Sequence, residues 1–272
     1  VTTLHAPTPA PVRNVPSRGL RWSPIAAVVH REWRVFRRVW RSLMFGSVVE
    51  PLVYLLAFGF GFGALVAEVN GIPYLDFMAT GSAGIAVLFT GFFPGLINGY
   101  FRRRENHLYD ALLATPTTVA EVVTGEATWT GVRTTGSAAT TLAVAAALGV
   151  SLEPTVVLVL PVAFVGGFGF ACLGAAFASR MRSTHQFDFV ISGIVVPLFV
   201  VAGTFFPLDD APAWLRIPAQ ANPLTHVVDL FRAAAFGTLA ASQVLVAVAM
   251  VLVVTALSWL LAVRWLTDAM VD

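Results

Sequence analysis

The sequence predicts an all-α integral membrane protein with six transmembrane helices, and three observations carry that reading. First, 57% of the 272 residues are hydrophobic and 12% are charged, with a mean hydropathy of +0.78. Second, six stretches almost free of charge follow one another at close to the ~20 residues that cross a hydrocarbon core. A buried soluble core yields one or two such runs rather than six in series. Third, basic residues collect in alternate links between those stretches.

The stretches are Pro51–Ala67, beginning near Leu43 and marred by Glu50, then Phe77–Phe101, Thr134–Leu152, Val156–Ser179, Phe189–Leu208 and Ala233–Val263. The last is longer than one crossing requires. All of the 17 basic residues are arginine, and eight of them (Arg13, Arg18, Arg21, Arg31, Arg34, Arg37, Arg38, Arg41) precede the first span. Arg102, Arg103 and Arg104 follow the second span, Arg180 and Arg182 the fourth, and Arg264 the sixth. The links "EVNGIPYLD" and "EP" carry none. Basic residues of short loops stay on the cytoplasmic side, so both termini and segment 102–133 are expected inside.

Residues 1–22, rich in Pro, Thr and Arg and without an apolar h-region, are expected to be a flexible cytoplasmic tail rather than a signal peptide. Ser23-Pro24 carries a helix-start signal, Ser as N-cap and Pro in the first turn. On a helical wheel Ile25, Val29, Trp33, Phe36, Trp40 and Leu43 form one stripe, with His30, Arg31, Arg34, Arg37, Arg38 and Arg41 opposite. Residues 23–42 thus read as an amphipathic helix lying on the inner leaflet among membrane lipids. Residues 43–265 form the six-helix transmembrane domain, and 266–272 a cytoplasmic C-terminal tail. Glu32 projects into the apolar face, where an unpaired carboxylate is costly. It either snorkels or pairs with a neighbouring Arg, or it meets a partner on another segment.

Between the second and third spans lies "FRRRENHLYDALLATPTTVAEVV", residues 101–123. Arg102–Ala114 can form a short helix that stops at Thr115-Pro116, and Thr118-x-x-Glu121 is a capping box that starts a long helix through Trp129 and Arg133 into the third span. Composition alone allows a merely solvated hairpin. The rigid break and restart favour a docking element.

The loop before the last span carries a second helix signal. Asn222-Pro223 supplies N-cap and first turn and Gly237 a stop, giving a helix Pro223–Phe236. Its 14 residues, at ~1.5 Å each, cannot cross a bilayer. With "PLDDAPAW" before it, the segment reads as an outward-facing re-entrant hairpin, in which Asp229 and Arg232 share a face and can pair. His226 lies on the same helix.

Several chemistries are excluded or poorly supported. Without lysine the chain cannot contain a G-x-x-x-x-G-K-[ST] phosphate loop. Glycines such as "GFGFG" at 59–63 lie inside spans, and Gly59/Gly63 and Gly91/Gly95/Gly99 have the small-xxx-small spacing of close helix contacts. The five histidines show no ligand-like pairing, so no metal site is expected. The single Cys172 excludes an internal disulfide. "TGSAG" at 80–84 is not G-x-S-x-G. No nucleic-acid partner and no catalytic residue are expected. Two rival classes are an intramembrane lipid-modifying enzyme using Glu50, Asp229 or His226, and a proton-coupled secondary transporter. The first needs convergent polar groups at one depth. The second needs inverted repeats and midplane carboxylates.

"FFPLDDAPAWLRIPAQANPLTHVVDLFR" closely resembles the end-of-domain segment of type 2 ABC exporter permeases. "VVEPLVYLLAFGFGFGALV" and "YDALLATPTTVAEVVTGEATW" look like their counterparts in the NodJ-like and daunorubicin-resistance-like branch. The resemblance covers about Arg31 to Trp265. It implies six helices per subunit, a cytoplasmic coupling helix, outward re-entrant helices, and a dimer of permeases, homodimeric or with a related chain, bound to two separate ATPase subunits in a bacterial cytoplasmic membrane. By this carry-over Arg102–Ala114 is the coupling helix, with Arg102, Arg103, Arg104, Glu105, His107, Tyr109 and Asp110 at the ATPase contact. The interfacial helix with Glu32, Trp33, Phe36 and Trp40 lies beside it, and Asn222, Pro223, His226, Asp229 and Arg232 belong to the re-entrant hairpin. The chain itself holds no cofactor. ATP and magnesium belong to the partner ATPase. NodJ-like relatives suggest a lipo-oligosaccharide or glycolipid cargo, drug-resistance relatives an amphiphilic antibiotic.

Overall fold

The structure is a computed structural model that describes residues 20–63, 65–66, 68–69, 71–208, 211–237 and 241–271. The side chains of Met44, Ser47, Glu50, Phe60 and Val271 also lie outside that description. The tail expected over 1–22 therefore falls, up to residue 19, outside the described residues, as does Asp209 of the outer loop.

The described chain is mostly helical. Helix α1 spans Trp22–Tyr54 and continues through a π-helical turn, Leu55–Phe60, to Gly63. The expected interfacial helix and first span are thus one unbroken rod. Its N-cap is Arg21 rather than Ser23, and Ser23 and Pro24 lie inside the first turn. Pro fits there because N–H groups of a first turn have no acceptor to lose. A small antiparallel hairpin, β1 (Glu68–Val69) and β2 (Ile72–Pro73), pairs Val69 with Ile72 and leads into α2, Tyr74–Arg104. Pro94 opens a second π-helical turn, Pro94–Asn98, where its missing N–H interrupts the helical ladder.

The remaining helices are α3 (Leu108–Leu113), α4 (Val119–Ala147), α5 (Pro154–Arg180), α6 (Gln186–Val200), α7 (Ala213–Ala221), α8 (Pro223–Phe236) and α9 (Ala241–Val271). Among them α2, α5 and α9 are long and apolar enough to cross a membrane, while Pro51–Gly63 and α6 are apolar but shorter. Three span ends differ from the sequence reading. The third ends at Ala147, not Leu152, before Gly149 at φ +99°. The fifth ends at Val200, not Leu208, before Gly203 at φ +68°. The stretch 233–263 divides between α8 and α9, with Gly237 at φ +63° closing α8. Apolar runs continue across these glycines, which is why hydropathy alone overran them. Helix α9 then continues to Val271, so residues 266–271 are helical, and Asp268 pairs with Arg180 at 3.1 Å.

Helix α5 is the centre of the bundle, packed against α2, α4, α8 and α9. The α2–α5 contact is built on glycine: Gly91 faces Gly167 and Phe170, Gly95 faces Ala171, and Gly99 faces Ala178. A Cβ on Gly95 would collide with the Ala171 carbonyl, and one on Gly174 of α5 with the Phe92 carbonyl. Small-xxx-small spacing here brings two backbones into contact. Helix α8 inserts its buried face of Leu224, Val227, Val228 and Phe231 at the other end of the bundle. The outward face of α9 leaves Leu245, Val246, Leu252, Val253 and Leu257 exposed.

Candidate functional site

The end of the bundle that carries α3 is organised by ionic side chains from four elements. α2 ends at Arg104, and the chain turns through His107, whose φ of +46° is rare for a residue with a Cβ. The expected helix Arg102–Ala114 is therefore divided. Arg102, Arg103 and Arg104 are the last turn of α2, and only Leu108–Leu113 forms the separate short helix α3.

That division gives the three arginines different tasks. Arg102 turns inward and pairs with Glu32 of α1 at 2.9 Å and Glu126 of α4 at 2.7 Å. Arg103 donates to the carbonyls of Ala178 (3.1 Å) and Met181 (2.7 Å), tying α2 to the end of α5. Arg104, Glu105, His107 and Asp110 are exposed, with His107 Nδ1 3.1 Å from Asp110 Oδ2. Tyr109 is 3% exposed and donates to Glu126 Oε2 at 2.7 Å. Of the seven residues expected at a partner contact, four face solvent and three face the protein.

Glu32 meets both alternatives open at the sequence level. It accepts from its neighbour Arg31 at 2.5 Å and from Arg102 of another segment. Arg31, expected on the polar face, also reaches Glu126 at 2.8 Å. Burial tends to raise the Glu32 pKa, but the Arg102 charge and the Arg31 hydrogen bond outweigh it and hold the carboxyl below its ordinary value. Burial pushes the Tyr109 hydroxyl well above its usual value, so it remains a donor. All four oxygens of Glu32 and Glu126 are engaged: Glu32 Oε1 by Arg31, Oε2 by Arg102, Glu126 Oε1 by both arginines, and Oε2 by Tyr109.

The apolar face of α1 packs on α4 beside this lattice. Ile25, Val28 and Glu32 are the buried positions, and Val28 lies over Gly125, where a Cβ would collide with it. Trp33 and Phe36 gather on Trp129 with ring centroids 5.8 and 5.6 Å away. Trp33 and Trp40 stay more than 40% exposed, at 44% and 47%, and Arg41 lies over the Trp40 ring. The stripe Ile25–Leu43 is therefore shared between α4 and the surroundings.

Sequence reading missed Arg21, Glu126 and the second task of Glu121. The capping box is present: Glu121 N donates to Thr118 Oγ1 at 3.2 Å while Thr118 N donates to Glu121 Oε2 at 2.8 Å. Glu121 also receives Arg21 Nε at 2.9 Å, and Arg21 reaches the Pro116 carbonyl. Arg21's hydrogen bond and the capping N–H together lower the Glu121 pKa to about 2. The signal that could have found Glu126 is its place five residues after Glu121 on a helix facing Tyr109 and Arg102.

At the other end, Asn222 Oδ1 accepts from Leu224 N at 2.9 Å as N-cap while its Nδ2 donates to Leu198 O at 2.6 Å, joining α6 to α8. Pro223 occupies the first turn. His226 Nε2 lies 2.8 Å from Gln220 O. Arg232 stands 3.9 Å from Asp229, donates to Gly203 O at 2.7 Å, and covers the Phe77 ring at 3.9 Å. Asp229 is thus one of several groups that hold Arg232.

The family signature described as ABC-2 type transporter matches residues 24–236. The chain is 28% identical to Nodulation protein J of Rhizobium leguminosarum bv. trifolii over 81% of its own length and 83% of that protein's. It is 26% identical to Nodulation protein J of Rhizobium meliloti (strain 1021), over 84% and 86% of the two chains. To the Inner membrane transport permease YadH of Escherichia coli (strain K12) it is 21% identical over 78% and 83%. With a match over most of its length, apolar helices able to cross a membrane and a charged lattice at one end, the chain belongs to the ABC-2 type transporter family.

Proposed function

We propose that the chain is the membrane-spanning permease subunit of an ATP-driven exporter. Two copies, or one copy and a related permease, act with two separate ATPase subunits in a bacterial inner membrane, both termini and α3 inside. The amphiphilic cargo, a lipo-oligosaccharide, glycolipid or drug-like molecule, moves outward by alternating access. Six spans arise when α4, α6 and the Pro51–Gly63 end of α1 cross beside α2, α5 and α9. α7 and α8 form a re-entrant hairpin on the outer side.

One observation supports this reading above the others. The end of α2, the turn after it and α3 present four exposed polar side chains, Arg104, Glu105, His107 and Asp110, while Tyr109 of α3 is anchored through Glu126 to α1, α2 and α4. A push on α3 then reaches two membrane helices and α1 through short ion pairs instead of being absorbed by a loose loop. The sequence holds no lysine and so no G-x-x-x-x-G-K-[ST] phosphate loop, which supports a reading in which ATP and magnesium are bound by the partner.

Co-expression with the ABC ATPase encoded in the same genome tests it. The ATPase should co-purify with the full-length chain, ATP hydrolysis should require both, and Glu105→Arg with Asp110→Arg should reduce co-purification without reducing membrane insertion. ATP turnover by this chain alone, or unchanged ATPase recovery with both charges reversed, overturns the reading.

A further inference from the structure

The ionic lattice has more cations than it can neutralise. Arg102 and Arg133 line a cavity of about 30 Å³ with the carboxylates Glu32 and Glu126, to both of which Arg31 is paired. Both carboxylates are fully engaged by Arg31, Arg102 and Tyr109. One donor, Arg31 Nη1, is buried without an acceptor. Arg133, partly buried on α4, makes no hydrogen bond or ion pair among the described residues. Glu32 gives Arg133 a favourable charge at a distance, but a guanidinium partly withdrawn from water with no acceptor of its own is costly.

On its other side Arg133 lines a cleft of about 400 Å³ between α1, α2 and α4. The apolar walls of the cleft are Leu43, Phe89, Phe93 and Ile97, and Ser42, Thr90 and Asn98 add neutral polar groups. Ile97 is 40% exposed, so the cleft communicates with the bundle surface. One charged end and apolar walls match an amphiphile with an anionic head. The volume lies near the small end of ligand pockets, roughly 300–1,000 Å³. It suits a glycerophosphate head group and the start of its chains, not an oligosaccharide.

We propose that this cleft binds an anionic phospholipid of the inner leaflet, its phosphate on Arg133 and its acyl chains along Leu43, Phe89, Phe93 and Ile97. Guanidinium groups hold phosphate through paired, charge-assisted hydrogen bonds. The lipid supplies the negative charge that Glu32 and Glu126 cannot, and it stands against α1, α2 and α4, the elements joined by the lattice. The inference rests on the membrane topology proposed above, but lipid binding needs no ATPase, so the two fail separately.

Full-length protein in non-ionic detergent, incubated with mixed micelles of phosphatidylglycerol and phosphatidylcholine in equal amounts, is examined by native mass spectrometry. Wild type should retain phosphatidylglycerol in preference. Arg133→Gln should lower that preference about tenfold, the effect of one charge-assisted hydrogen bond. Gly46→Phe should do the same by filling the cleft, since Gly46 lines it and a Cβ there meets no atom within 4 Å. The exposed Arg104→Gln should change nothing. If Arg133→Gln does not elute as a folded species, Gly46→Phe carries the decision. No preference in wild type, preference retained in Gly46→Phe, or equal loss in Arg104→Gln overturns the proposal. So does a co-purified glycolipid that occupies the site and excludes phosphatidylglycerol.

Discussion

At the α3 end, four elements meet through Arg31, Glu32, Arg102, Tyr109 and Glu126; at the opposite end, α8 is held by Leu224, Val228 and Phe231 and by the Asn222 cap. The first arrangement is directional and shared, because each carboxylate serves two or three donors. The second is a sum of contacts, each with its own neighbours. Directional, shared contacts transmit a displacement and have few alternative arrangements. Apolar contacts hold position while allowing side chains to slide. The two ends of this bundle thus differ in kind, one held by shared ionic contacts and the other chiefly by apolar packing.

The strongest way to break the comparison is Glu126→Ala. It leaves Arg31 and Arg102 to share Glu32 alone and removes the acceptor of Tyr109, and losing one partner of a buried ionic group costs about 3–5 kcal/mol. Adding Arg102→Leu should restore part of that loss, because Glu32 is then left with one arginine to balance. Thermal unfolding in detergent, followed by the amount of monodisperse protein recovered, reads both. An additive double variant would show that the pairs do not act together.

Phe231→Ala, at a residue with 0% exposure, should cost about 3 kcal/mol through the cavity it leaves. Combined with Glu126→Ala it should sum within about 0.5 kcal/mol, since the two sites share no partner. Strong coupling between them would deny that the ends are independent. Tyr109→Phe keeps the ring and removes one hydrogen bond to a carboxylate, an effect of about 1.5 kcal/mol. It should weaken coupling of α3 to ATP turnover more than it weakens folding, whereas equal losses would make Tyr109 purely structural.

Sequence patterns revealed much of the fold and less of the lattice. The Thr118-x-x-Glu121 box, Asn222-Pro223 and Gly237 are local signals whose hydrogen bonds close within a few residues, so each was legible and each is present. Gly91, Gly95 and Gly99 were legible because four-residue spacing puts them on one helix face. Arg102 and Glu126 were not, because their pairing joins elements 24 positions apart and depends on where α2 ends. Three consecutive arginines look alike in sequence. Arg102 faces in and Arg104 out because they stand two residues apart, about 200° around the last turn of the same helix. Span ends at Ala147 and Val200 were overrun for a related reason, since hydropathy does not register a backbone turn.

The smallest effect concerns the clamp between Arg21 and Glu121, which fastens the start of α1 to the start of α4. Glu121 has a folded-state pKa of about 2 against 4.5 for an ordinary glutamate. A carboxyl lowered in this way contributes stability that is complete above pH 4.5 and lost as pH falls towards 2. The Arg21 side chain is 40% exposed, so solvent screens the pair and the contribution is modest. Wild type should therefore lose thermal stability between pH 4.5 and 2 more steeply than Glu121→Gln, which keeps an acceptor for the cap but has no proton to gain. Arg21→Gln should flatten the same window partially, leaving the share due to the Thr118 N–H, and salt should shrink the difference between wild type and Arg21→Gln. If Glu121→Gln shows the same pH slope as wild type across that window, acid sensitivity belongs to Glu32, whose pKa is also lowered, and the ionic lattice rather than the clamp is the first part of this end to open.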